Sequence, residues 1–125
     1  MSGWDFADAW VFASVAGSGP EDGTSLTEIV LYADALNHAL LLESEFTSAF
    51  GRLHAAGLAD GSVPEDRYWL TDKGTALRAA FGYRGLTGWL DVVPRALASI
   101  DPPLRTPWPL PVGAFDDAVR AYLSE

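Results

Sequence analysis

Metal binding, proton transfer and nucleophilic attack each need particular side chains at particular spacings, and this chain offers few of them. Its two histidines are the first candidates for a metal ligand or a proton shuttle. His38 and His54 lie far apart in sequence, and neither has a second histidine or a carboxylate at a spacing that zinc sites use. A turn residue and a helix-surface residue are the simpler assignments. General acid–base work needs carboxylates sharing one face, whereas Asp116 and Asp117 are adjacent and Glu43 and Glu45 also diverge around a helix. Gly17 to Pro20 and Asp60 to Ser62 have turn composition and lack the pattern of a phosphate loop or a dinucleotide fingerprint. Cysteine is absent, which removes disulfides, thiolate nucleophiles and cysteine-held metals together. The expectation is a protein that is not an enzyme, with no catalytic residue, no metal and no cofactor.

Charge narrows the partners further. Seventeen acids against eight Lys and Arg give a formal net charge of −9. The excess is spread along the whole chain, and no segment forms a basic patch. Because Lys and Arg on phosphate supply most non-specific nucleic-acid affinity, strong general binding to DNA or RNA is disfavoured. Residues 1–10 carry Asp5 and Asp8 and no basic residue, unlike a secretory signal, and no uninterrupted run of about 18 apolar residues is present to span a membrane. The expected setting is the cytoplasm, with no membrane partner.

The elements that would position any site follow from periodicity and caps. At 125 residues, with 49% hydrophobic and 20% charged residues, one domain covering 1–125 has material for a single core and no disorder signature. Trp4 to Ala16 keeps apolar residues at helical spacing and should be largely buried, ending in the glycines and proline of 17–23. Ser25 followed by Glu28 is a capping box that opens a second helix, and Asn37-His38 can turn the chain. A third helix runs from about Glu43 to Ala56 with Phe46, Phe50 and Leu53 on one stripe, although Leu42 is a poor residue for its cap. Short strands at 58–59 and 67–70 flank a hairpin tip over 60–66. Thr71 caps a fourth helix, Asp72 to Phe81; Gly82 to Gly85 turns; and Asp91 caps a helix to Ile100 with Pro94 in its first turn. A proline-rich strap over 101–113 leads to a last helix, 114–123, which should dock on the core.

Three stretches together carry a resemblance: Ser25 to Ile29, Glu45 to Leu58 with its run Arg52-Leu-His-Ala-Ala-Gly-Leu, and Arg67 to Gly74 with Tyr68-Trp-Leu-Thr-Asp-Lys-Gly. Residues 25–81 resemble the winged helix-turn-helix of bacterial transcriptional regulators of the MarR and PadR families. The resemblance implies a winged-helix core with a small β-hairpin wing, and with the strap and C-terminal helices read above the expected fold is mainly α, a winged helix-turn-helix core plus C-terminal helices joined by the proline-rich strap. It makes Glu43 to Ala56 the recognition helix and 60–66 the wing. It implies DNA-binding roles for Ser44, Thr47, Ser48 and Arg52 on that helix and for Arg67 and Lys73 at the wing, with duplex DNA as the partner and a homodimer formed through helix one and the C-terminal helices. Glu43, Glu45, Asp60, Glu65 and Asp66 make that surface acidic, which favours a second reading as a protein-interaction module that faces a basic partner.

Some residues remain open between two uses. Arg52 fits either a phosphate or guanine contact or an ion pair with an acid one turn away or on the wing. Lys73 and Arg78 read as exposed helix charges. Gly51 and Ala55 form a small-residue stripe that lets another backbone approach, whether DNA, a partner or the strap. Pro107-Trp108-Pro109 is either a recognition peptide for another domain or a tryptophan pinned into a groove of its own chain.

Overall fold

The helix that opens on Ser25 starts as its capping box requires. A computed structural model describes residues 3–80 and 85–124. In it Ser25 Oγ accepts from Glu28 N at 3.1 Å and Glu28 Oε1 accepts from Ser25 N at 3.0 Å, fixing the start of α2 (Leu26–Asn37). α2 ends at His38, whose φ of 54° places it in the left-handed region and turns the chain, with its N–H on Asp34 O. α3 (Glu43–Ala55) follows; its start is held by Glu45 Oε1 accepting from Leu42 N at 2.9 Å, while the Leu42 side chain has no acceptor to offer.

α1 (Phe6–Ser14) is enclosed by α2, α3 and a later helix, α5 (Gly85–Ala98), and seven of its nine residues are buried. Its apolar residues meet Ile29, Val30, Phe46, Phe50, Trp89 and Val93 in one core. Buried indoles need a hydrogen-bond partner, and carbonyls near helix ends supply it. Trp10 Nε1 donates to Ala33 O at 2.9 Å, Trp89 Nε1 to Leu36 O at 3.2 Å, and Trp4 Nε1 to Ile100 O at 2.8 Å.

β1 (Ala59–Ser62) and β2 (Arg67–Leu70) form an antiparallel hairpin with Ala59 opposite Leu70 and Ser62 opposite Arg67. β1 therefore extends into the stretch read from sequence as the tip, because Gly61 leaves room for the Tyr68 ring; a Cβ there would stand 2.6 Å from Tyr68 Cδ2. Thr24 exchanges both backbone hydrogen bonds with Tyr68, so the segment before α2 joins the hairpin's inner edge.

Thr71 caps α4 (Asp72–Ala80), its hydroxyl accepting from Gly74 N at 3.1 Å and donating to Gly57 O at 2.6 Å. The basic residues of α4 then close other helices. Lys73 Nζ donates to Ala56 O at the end of α3, and Arg78 Nη1 donates to Phe12 O and Val15 O at the end of α1. Arg78 is thus partly buried and structural, not the exposed helix charge its position suggested.

α5 corrects another expectation. It starts at Gly85, before Asp91, so Pro94 lies inside the helix and not in its first turn. Trp89, Val93, Ala96 and Leu97 share its buried face, and burying a tryptophan offsets one missing backbone hydrogen bond. Phe81 and the turn at 82–84 lie outside the described residues. The strap has neither helix nor strand over 101–111 and turns at 112–113, where Gly113 has a left-handed φ of 86°, and α6 (Ala114–Leu123) packs on α2 through Phe115 and Ala118, with Tyr122 hydrogen-bonded to Asp34. The chain is thus mainly α with a small hairpin wing, and among the described residues no helix is long and apolar enough to cross a membrane.

Candidate functional site

α3 turns Phe46, Phe50 and Leu53 to the core and leaves Thr47, Ser48, Gly51, Arg52 and Ala55 on its outer side. The strap lies along that side. Trp108 N donates to Thr47 O at 2.8 Å, a carbonyl in the middle of a helix. The two backbones meet so closely at Gly51 that a Cβ would stand 1.9 Å from Thr106 O and 2.8 Å from Trp108 N. The small-residue stripe therefore receives the chain's own strap.

Tryptophan anchors this crossing. The Trp108 ring stands edge-on to Phe50 at 4.8 Å, to His54 at 5.2 Å and to Tyr68 at 6.0 Å between centroids. Of the two uses open to Pro107-Trp108-Pro109, the structure shows the tryptophan packed into its own chain.

Charge locks the strap from the other side. Asp8 of α1 has no exposed surface, and its carboxylate accepts from Arg105 Nη1 at 3.1 Å, Arg105 Nη2 at 3.0 Å, Arg52 Nη1 at 3.2 Å and Asp5 N at 2.8 Å. Arg105, on the strap, also pairs with Asp5 and donates to Ser48 Oγ at 2.8 Å. Arg52 reaches Pro103 O at 3.0 Å and Gly3 O at 2.8 Å, with Trp4 beneath its guanidinium, leaving its side chain 13% exposed. Two arginines and two aspartates make a cluster with no net charge, so each buried ion has a counter-charge. Hydrogen bonding to Asp8 raises the Arg105 pKa above its ordinary value; burial works against this, and the charges of Asp8 and Asp5 add to it.

Ser48 and Arg52 are thus gathered under the strap together with the Thr47 backbone carbonyl. Thr47 turns its hydroxyl onto Glu43 O of its own helix, and Ser44 is exposed beside Glu43. Arg67 is exposed at the wing, and Lys73 is exposed with its ammonium on Ala56 O, so neither joins that group. Arg52 does form an ion pair, but its partner is Asp8 across the core and not an acid one turn away. Sequence reasoning missed Asp8 and Arg105. The available signal was a carboxylate within a helix whose neighbours are almost all apolar, since a buried carboxylate needs cationic or N–H partners.

Tyr68, packed against Trp108 and Phe50, gives the fold a pH dependence. Burial raises its phenol above the ordinary 10.0; the Trp108 indole N–H works against that shift and the charge of Asp66 adds to it. A raised folded-state pKa means that the unfolded chain ionises first, so the stabilising contribution is complete below pH 10 and is lost as pH rises through the folded value. Urea midpoints should therefore fall above about pH 10, with a shallower fall in Tyr68→Phe. An unchanged alkaline slope in that variant would contradict this assignment. Among the described residues no group of three or more His, Cys, Asp or Glu is placed to hold a metal ion. No family model, no curated protein and no solved structure matches this chain.

Proposed function

We propose that the chain is an acidic protein-interaction module on a winged-helix frame, and that α3 does not read DNA. The order of α2, turn, α3 and hairpin, with Thr24 bridging to Tyr68 ahead of α2, supports the frame. The observation that carries the function is the strap across α3. A recognition helix must lay its outer face against base edges, whereas here Gly51 meets the Thr106 carbonyl, and Ser48 and Arg52 bond Arg105, Asp8 and backbone. Helix one, which a homodimer of the resembled kind would use, is already enclosed within the chain, so the proposed module works as a single copy. No catalytic role is proposed. A cytoplasmic setting belongs to the same reading and rests on the cysteine-free composition.

Arg67 and Lys73 stay exposed, which keeps a regulator with weak duplex binding as the competing reading. Fluorescence anisotropy separates the two, using labelled duplexes of random sequence and from upstream of the chain's own gene. No binding is expected even at low salt. Binding that prefers the upstream duplex and weakens as salt rises would overturn the module in favour of the regulator.

A further inference from the structure

Among the described residues, five arginines are turned inward or tied to their own helices, while Arg67 and Lys73 are exposed. Arg52, Arg78 and Arg105 bond Asp8 or backbone carbonyls, and Arg95 and Arg120 pair with acids on the same helix. Exposed carboxylates outnumber exposed cations among the described residues, so the outward face is acidic.

One apolar groove opens within that acidic face. It lies between the start of α2, the wing turn, the end of the strap and α6, and encloses about 260 Å³. Leu26, Tyr68, Leu110 and Ala118 form its apolar walls, and the carboxylates of Asp66 and Asp117 stand at its rim. Asp66 is held in place at a left-handed φ of 53° by one oxygen, Oδ1, which accepts from Leu26 N at 3.0 Å. Among the described residues its other oxygen has no hydrogen-bond or ion-pair partner. Among the described residues Asp117 pairs only with the exposed Arg120, one turn away, and such pairs contribute little.

We propose that this groove docks a lysine-bearing segment of a partner protein, an inference that rests on the interaction-module reading. Lysine matches both features of the site. Its four-carbon stem covers apolar walls while its ammonium stays at a wet, acidic rim. The stem lies over Leu26, Tyr68 and Leu110, and the ammonium meets Asp66 and Asp117. Glu65 and Asp116, each next in sequence to a rim carboxylate, extend the negative field that draws such a segment in.

The test is fluorescence anisotropy of the full chain with a labelled peptide of alternating lysine and leucine, and with its glutamate counterpart, at physiological salt. The lysine peptide should bind and the glutamate peptide should not. Asp66→Asn combined with Asp117→Asn should weaken binding about tenfold, which corresponds to two charge-assisted contacts at a partly solvated rim. Asparagine keeps an oxygen for Leu26 N and tolerates the left-handed backbone, so this variant should still fold. Ala114→Trp, which fills the groove, should weaken binding at least as much. Asp72→Asn with Asp101→Asn makes the same charge change elsewhere and should leave affinity within about twofold. Equal weakening by that control, no weakening by the groove variants, or no binding of the lysine peptide overturns the groove assignment. The module reading fails separately, on the duplex experiment, so the two failures are distinguishable.

Discussion

Replacing Asp8 with alanine should destabilise the fold by about 3–5 kcal/mol, the range for removing one partner from a buried ion cluster. Asp8 is the only group that touches both Arg52 and Arg105 among the described residues, and it is fully buried. Without it, Arg52 keeps its carbonyl contacts with Gly3 and Pro103 but loses its counter-charge, and Arg105 retains only the exposed Asp5 as an ion-pair partner. Domains of this size are stable by about 5–15 kcal/mol, so the loss is a large share of the total. The thermal midpoint should drop by on the order of 10–20 °C. Arg105→Ala should cost less, since Asp8 keeps Arg52 and the Asp5 N–H, and Arg105 is 31% exposed. Equal losses from the two substitutions would mean that Asp8 acts on the strap alone and does not hold α3.

Gly51→Ala decides its case by sign. Glycine inside a helix is about 0.5–1 kcal/mol worse than alanine, so at a free helix surface this substitution stabilises. Here the new methyl group would stand 1.9 Å from a backbone oxygen, which cannot rotate aside as a side chain can. Either α3 or the strap must shift, putting the Trp108 to Thr47 hydrogen bond and the Trp108 packing at risk. Overpacking of this kind costs about 1–3 kcal/mol, so a net loss of about 1–2 kcal/mol is expected. Trypsin should also cut faster after Arg105 as the strap lifts. Stabilisation together with unchanged proteolysis would show that the strap does not rest on Gly51.

Local chemistry was legible from sequence. The Ser25–Glu28 box, the turn at His38, the Thr71 cap and a strap free of helix and strand over 101–111 all depend on residues within a few positions of one another, and each is present in the structure. The fold class followed from that order of elements. Two boundaries were not legible. Pro94 suggested a helix start, yet α5 tolerates it because the burial of Trp89 and Val93 outweighs a local preference. β1 runs further because Gly61 packs under the ring of Tyr68, its partner across the hairpin.

The site itself was half legible. Gly51 and Ala55 signalled that a backbone lies against α3, but they carry no information about which one. That choice rests on Asp8 and Arg105, 97 positions apart, and no spacing rule links residues at that distance. The same arginines explain how an acidic surface coexists with eight basic residues: several of the cations are used within the fold.

The central claim is that the strap covers the outer face of α3 in the folded chain. Amide hydrogen exchange at Trp108 tests it most directly, because this N–H belongs to the strap and its acceptor, Thr47 O, belongs to α3. If the strap is docked, the Trp108 amide should exchange as slowly as the interior amides of α3, through openings close to global unfolding. Exchange at the rate of an unprotected amide, with α3 still protected, would mean that the strap is loose and the helix face is open, and the account would fail.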